Sequence, residues 1–369
     1  MYSCVSFGAC CRNTLYGRPI KVTVTGSAGK IGSNVAWGIA QGLAFGSSQS
    51  VDLRLFDIEK AQPTLSGMQM ELSDITSPAL NSVNITSDPE EAFAEADVVV
   101  MVASIGGVKP GGSRIDLVEQ NGPLYREHGA AVDQYANPDC RIVVVSNPAN
   151  TLCMIAASQC TRIPLKNWTS LCAADHLRAA HKLRTMLPNQ PSACAIQRLG
   201  VIGNHSSTLT IPLKDVRINR GGTVEFLEEL LNVEKASEEI IDYTRNRGLD
   251  IINTSGQSTI WTPSYGILIH LRNLIMGTSV NENISVGMVS DGIYGFPQGL
   301  VTSLPVISRG KGNLVAIEKL QFSAYGEKAL KETIGELKQE RDKVRELLGE
   351  SFDEVLQTHK IDRINKDWL

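Results

Sequence analysis

The amino-acid sequence predicts an α/β chain in which a doubly wound parallel sheet is followed by a lobe of mixed α and β structure. Three observations carry that prediction. Short apolar runs at 20–25 (IKVTVT), 51–57 (VDLRLFD), 97–102 (DVVVMV) and 141–146 (RIVVVS) alternate with stretches of helical periodicity, the pattern of strands joined by crossover helices. The first run passes through a glycine-rich turn directly into a helix. Near residue 165 the alternation gives way to mixed signals.

Each element follows from local chemistry. The run at 20–25 is β-branched and glycine-bounded, hence a buried strand. GSAGKIG at 26–32 is the turn, and Val35, Ile39 and Leu43 recur behind it at helical spacing. VDLRLFD is a second strand ending in an acid, which closes a βαβ unit. Asp88-Pro-Glu-Glu is a capped helix start with acids in its first turn, and the continuous apolar run after it suits a strand covered on both faces. Residues 121–135 read as helix and 141–146 as another buried strand.

Beyond 165, residues 199–203, 207–212 and 222–226 read as short strands among helices. One of these helices is CAADHLRAAHKLR at 172–184. Residues 324–349 form an amphipathic helix with Leu330, Ile334, Leu337, Val344 and Leu348 on its apolar face. The expected division is an N-terminal extension at 1–19, lobes at 20–165 and 166–349, and a polar tail at 350–369.

Composition excludes several classes of partner. Thirty-five Lys and Arg against 39 Asp and Glu leave a net charge of -4, so there is no basic footprint for nucleic acid. No stretch approaches the roughly 18 apolar residues of a membrane span. Eight cysteines without a CxxC pair, two of them adjacent at Cys10 and Cys11, suggest neither a zinc ribbon nor a disulfide framework. A reducing compartment, the cytoplasm, is the expectation. Residues 1–19 carry Arg12 and Arg18 but no acid; they read either as a ragged terminus or as a leader for mitochondria or another organelle.

The glycine turn carries the first chemistry. Gly26, Gly29 and Gly32 let the backbone turn tightly and approach a pyrophosphate, while the helix N-terminus presents N–H donors. Asp57, closing the next strand, suits the two hydroxyls of an adenosine ribose and repels a 2'-phosphate, which favours NAD. The first lobe is therefore expected to be Rossmann-type. Asp175 and Arg178 share a helix face, as a surface salt bridge or as part of a site. His176 and His181, five apart, do not jointly hold a metal, and the expected metal content is none. His205 lies in a polar turn, GNHSS, either buried and satisfied or available for proton transfer.

Together these segments resemble the lactate/malate dehydrogenase family, especially its cytosolic malate dehydrogenase type. The resemblance covers about residues 20–349. Its carriers are GSAGKIG, LRLFDI, KPGGSRIDLVEQN at 109–121, VVVSNPANT at 143–151, DHLR at 175–178, IGNHSST at 202–208 and SVGMVSDGIYGFP at 285–297. It implies an NAD-dependent oxidoreductase interconverting 2-oxo and L-2-hydroxy acids in carboxylic acid metabolism, with the tricarboxylic acid cycle as the setting of the malate type.

By the same resemblance, His205 is the proton donor and acceptor and Asp175 orients it. Arg178 grips the substrate carboxylate, Arg114 polarises the reacting carbonyl and Asn147 contacts substrate. Gly26, Ser27, Ala28, Gly29, Lys30, Ile31, Gly32 and Asp57 hold the cofactor. Asn121 and the backbone of Val145, Ser146 and Asn147 lie on its nicotinamide side. A homodimer is implied, through helices near the glycine turn. The residue types fit the chemistry: an alkoxide needs a proton near neutral pH, which histidine supplies, and a guanidinium fork matches a carboxylate.

One position departs from the malate pattern. Malate dehydrogenases carry another arginine six residues before the one matched by Arg114, pairing with the second carboxylate of oxaloacetate. Here that place falls on Val108, or on Gly107 if the loop is one residue longer, and only Lys109 is cationic nearby. Losing the partner of a desolvated carboxylate costs about 2–5 kcal/mol. The relationship points to malate, the loop to a 2-oxo acid with an apolar side chain. Thr259 and Trp261 are expected on the opposite wall, unless Trp261 is core. Two other classes remain for comparison: short-chain dehydrogenases need Tyr-x-x-x-Lys, which no tyrosine here provides, and an NAD-binding sensor would show decay at His205, Asp175 or Arg178.

Overall fold

The computed structural model describes residues 17–106, 113–188, 194–279, 281–349 and 351–365; the loop residues Gly107, Val108 and Lys109 lie outside these. The first lobe runs β1 (Ile20–Thr25), α1 (Lys30–Ala40), β2 (Val51–Phe56), α2 (Gln62–Asp74), β3 (Leu80–Thr86), α3 (Pro89–Phe93), β4 (Val98–Met101), α4 (Arg114–Tyr135), β5 (Arg141–Val144), α5 (Ala149–Ala157) and β6 (Trp168–Leu171). These strands lie in the order β3-β2-β1-β4-β5-β6, every pair parallel, which is the doubly wound dinucleotide-binding order. The fold class read from the alternating runs is the one observed.

Strand alternation builds two cores. Val98 and Val100 enter a core shared with α1, whereas Val99 and Met101 enter another shared with α4 and α5. Every residue of β4 is buried, so its unbroken apolar run reflects helices on both faces.

The second part contains α6 (Ala173–Met186), β7 (Ala195–Gln197), β8 (Arg217–Arg220), β9 (Thr223–Phe226), α7 (Leu227–Leu230), α8 (Val233–Ser255), α9 (Trp261–Met276), β10 (Ile284–Val289), β11 (Val301–Ser308), β12 (Leu314–Glu318), α10 (Ala324–Leu348) and β13 (Arg363–Asn365). β10 joins β6 antiparallel, and β11, β12 and β13 extend the same sheet to ten strands. β7, β8 and β9 form a separate antiparallel sheet. Among the described residues, no helix is long and apolar enough to cross a membrane.

Several expectations are corrected here. The helix expected from 121 begins at Arg114, because Ser113 and Asp116 form a reciprocal capping box and Pro123 is accommodated inside. Residues 199–203 and 207–212 form no regular strands, only the bridges Ile202 to Thr210 and Gly203 to Ser303; their polar groups are bound by side chains of other elements. The polar tail is not peripheral: Asp353 and Leu356 are buried, and β13 pairs with β12. At the other end, Arg18 grips Asp97 with two hydrogen bonds of 2.7 Å, so the folded body begins before residue 20.

Candidate active site

β1 and β4 are neighbours whose helices diverge to opposite faces, and the crevice beyond their carboxyl ends is where such folds bind ligands. The Thr25 hydroxyl accepts from the amides of Val102 and Ala103, both at 3.1 Å, and pins the two strand ends together. Gly26 then turns with φ +64, and a Cβ on it would lie 2.7 Å from the Ala103 Cα; on Gly32 a Cβ would lie 2.3 Å from the Gly26 carbonyl oxygen. Side chains are therefore barred at both positions.

Gly29 is the N-cap of α1, and no side chain caps that end. Its N–H groups and positive dipole face a cleft of about 990 Å³ lined by Gly26, Ala28, Gly29, Lys30, Ile31, Gly32 and Asp57. The amide of Ala28 donates to Asp57 Oδ2 at 3.0 Å, and that of Ile58 to Asp57 Oδ1 at 2.8 Å. This cradle of glycine backbone, helix terminus and carboxylate fits the pyrophosphate and ribose of a dinucleotide.

Asp175 occupies the first turn of α6, where the helix dipole favours a carboxylate. Its Oδ2 receives His205 Nδ1 and its Oδ1 accepts from Arg178 Nη1 at 3.0 Å, one helical turn on. Burial opposes the charge on Asp175, but the adjacent imidazole and guanidinium hold its carboxyl below the usual carboxylate range. Arg178 Nε is buried without a hydrogen-bond partner. His205 keeps a fifth of its side chain exposed, at 20%.

The turn bearing His205 is fastened from two directions. Its amide donates to Asn150 Oδ1 at 3.2 Å, and the Asn204 amide donates to Thr333 Oγ1 at 2.8 Å. The Asn204 carboxamide donates to Glu336 at 2.8 Å and to Glu340 at 2.9 Å. Arg114, the first residue of α4, donates through Nε to Glu340 at 2.8 Å, through Nη1 to the His205 carbonyl at 3.1 Å and through Nη2 to Asn204 Oδ1 at 3.3 Å. His205, Asp175, Arg178 and Arg114 thus come together from three parts of the chain, the start of α4, α6 and the turn after residue 202.

Other candidates are placed differently. Asn121 is fully buried, and its Oδ1 accepts from the Ile105 amide at 2.6 Å, so it shapes the cleft wall from behind. Ser27 is also buried and donates to the Val24 carbonyl at 2.6 Å. Val145 is buried, Ser146 donates to the Val102 carbonyl at 2.7 Å, and Asn147 is exposed before a cis peptide bond to Pro148. Thr259 lines the cofactor cleft, whereas Trp261, 78% exposed, is not core and lines a separate cavity with Arg178 and Arg247. His176 is half-buried with its Nδ1 against the Ser285 hydroxyl at 2.9 Å, and desolvation of the ring pushes its imidazole down to about 4.

The residues that sequence reasoning missed are the supports: Asn150, Thr333, Glu336 and Glu340. Glu340 had a legible signal, since it falls on the apolar stripe of α10 three residues after Leu337 and four before Val344. His128, on the cleft wall, was missed as well; packed among Phe56, Phe93 and Tyr125, it is pushed by burial down to about 4 and presents a neutral ring.

Known proteins show the same arrangement of lobes. Residues 20–168 match the family model described as lactate/malate dehydrogenase, NAD binding domain, and residues 172–348 match its alpha/beta C-terminal domain. A malate dehydrogenase of Rubrobacter xylanophilus is 36% identical over 329 residues, covering 88% of this chain and 98% of the relative. The malate dehydrogenase of Naegleria fowleri superposes with a TM-score of 0.81 at 30% identity, over 90% of this chain and 99% of that one. A Trichomonas vaginalis lactate dehydrogenase, solved with NADH and oxamate, gives 0.82 at 27% identity, over 89% and 99%. With both lobes matched in order and a dinucleotide cradle between β1 and β4, the chain belongs to the lactate/malate dehydrogenase family, NAD-dependent oxidoreductases acting on CH–OH groups.

Proposed function

We propose that this enzyme reduces 2-oxo acids with apolar side chains to L-2-hydroxy acids, and that His205 is its proton donor. The Asp175–His205 contact carries the reading. Asp175 binds Nδ1 and thereby fixes the tautomer, leaving Nε2 to protonate the alkoxide that forms on the substrate. NAD in its reduced form supplies the hydride when bound. Asp175, ionised, stabilises the imidazolium in the reverse direction.

Arg178 anchors the substrate carboxylate, supported by its buried, unpartnered Nε. Arg114, whose guanidinium reaches the backbone of His205, polarises the carbonyl. Asn147, exposed after β5, contacts substrate. Residues 20–165 supply the cofactor site through Gly26 to Gly32 and Asp57, with Asn121 and Val145 to Asn147 behind the reacting end. Residues 166–349 supply the acid–base pair.

The uncharged Gly107 and Val108 set the substrate class. NADH oxidation with pyruvate, phenylpyruvate or 2-oxoisocaproate is expected to exceed that with oxaloacetate, and a strong oxaloacetate preference would overturn this. Val108→Arg should then raise oxaloacetate turnover at least about tenfold, or about 1.4 kcal/mol of transition-state binding. If neither it nor Gly107→Arg does so, the alignment of the loop is wrong. A second reading, malate as product, is favoured by Arg247 in the same cavity as Arg178; Lys109 or Arg247 would then hold the second carboxylate, and Arg247→Gln would lower oxaloacetate turnover.

We also infer a homodimer, supported by the exposed Trp37, Met70 and Tyr265 on the neighbouring helices α1, α2 and α9. A cytoplasmic setting is supported by Cys140, Cys153, Cys160, Cys172 and Cys194, all free thiols. Organelle import of a C-terminally tagged chain would instead make residues 1–19 a leader.

A further inference from the structure

At the end of the sheet opposite the cofactor cleft, a pocket of about 280 Å³ lies where β5, β12 and β13 begin. Arg141, Lys166, Lys311 and Lys360 line it against a single carboxylate, Asp362. None of the four cations is ion-paired among the described residues. Like charges gathered around one small cavity repel unless an anion joins them.

Two side chains on this lining, half-buried Arg141 and buried His359, have buried polar atoms without partners. Arg141 donates through Nη2 to the Lys311 carbonyl at 2.9 Å, whereas its Nε and Nη1 are buried with no hydrogen bond. His359, 9% exposed, has a buried Nε2 in the same condition. Buried polar groups in native proteins are nearly always satisfied, so unpartnered atoms of two residues on one cavity point to a ligand.

The pocket is also rigid. The β11–β12 turn passes over Arg141 with Gly312 at φ +77, where a Cβ would lie 1.8 Å from the Arg141 Nε. That turn is tied to the end of α9 by the Lys311 amide to the Ile275 carbonyl at 2.8 Å and the Gly312 amide to the Leu274 carbonyl at 2.7 Å.

We propose that this pocket binds a phosphate dianion, either inorganic phosphate or a small phosphomonoester, with the Arg141 fork and the three lysines as its partners. A planar guanidinium among several ammonium groups suits a compact, doubly charged tetrahedral anion better than a single carboxylate. None of the lining residues belongs to the cofactor or substrate site, so the proposal stands apart from the choice of 2-oxo acid.

Calorimetric titration of the NADH-saturated full chain with inorganic phosphate, and separately with glycerol phosphate, tests it at constant ionic strength set with sodium chloride. Saturable binding at one site is expected, weakened at least tenfold in Lys166→Glu/Lys311→Glu and in Arg141→Gln, with NADH affinity and turnover unchanged in the double variant. Tighter binding of the glycerol ester assigns a phosphomonoester and tighter binding of phosphate assigns the free ion. Heat no greater than that of chloride, or binding equal in wild type and both variants, would overturn the proposal.

Discussion

Thirty positions of chain separate Asp175 from His205, and the pair forms because α6, which follows β6, and the turn after residue 202, bridged to β11 at Ser303, converge. Burial opposes the charge on this aspartate, and the adjoining His205 imidazole and Arg178 guanidinium favour it. His205→Asn should therefore lower turnover about 100- to 10,000-fold, the range for losing a general acid, while NADH fluorescence titration shows unchanged affinity. Loss of cofactor binding in that variant would make the histidine structural. The pairing of Asp175 with His205 was legible in the sequence, because motif chemistry names side chains. The partners of Arg114 were not, since three hydrogen bonds to Glu340, Asn204 and the His205 carbonyl depend on where a distant helix passes.

That helix, α10, was expected at 324–349 and runs Ala324–Leu348, because its apolar periodicity is long and regular. Its polar function was hidden in the same periodicity. Thr333, Glu336 and Glu340 recur at helical spacing and bind the turn that carries His205, so the helix is both core and scaffold. Glu340 is 2% exposed and also accepts from Thr151. Replacing one buried acceptor of this kind costs about 1–3 kcal/mol, and Glu340→Gln should reduce kcat about tenfold or more with little change in NADH affinity. An unchanged kcat would show that the position of Arg114 does not depend on this carboxylate. The isolated bridges around residues 202 and 210 have a related origin: strands were expected there, but side chains of other elements take up the backbone hydrogen bonds, Asn283 and Ser303 at the Leu199 and Val201 carbonyls, Ser285 at the Val201 amide and Arg245 at the Leu209 carbonyl.

At the scale of the molecule, the parallel strands β1, β2, β4 and β5 were legible, whereas β3, β6 and the antiparallel part of the sheet were not. Strands buried on both faces leave unbroken apolar runs, as in β4, whereas β13 is a three-residue edge strand in a stretch whose composition reads as tail. Assembly lies at this scale too. Sedimentation equilibrium should give twice the 40.0 kDa chain mass, and Trp37→Glu, placed on the half-exposed face of α1 at 52%, should shift the protein toward monomer. A wild-type monomer throughout the micromolar range would exclude the dimer.

The fastening of the His205 turn to α10 has a temporal meaning. The strands and glycines of the dinucleotide cradle lie in the first third of the chain, whereas Thr333, Glu336 and Glu340, which fasten the His205 turn and Arg114 to α10, follow residue 330. Domains fold as units during synthesis, N-terminal first. A growing chain therefore acquires its dinucleotide-binding lobe long before the helix that fastens the His205 turn, and the Asp175–His205 geometry is complete only once that last long helix has left the ribosome.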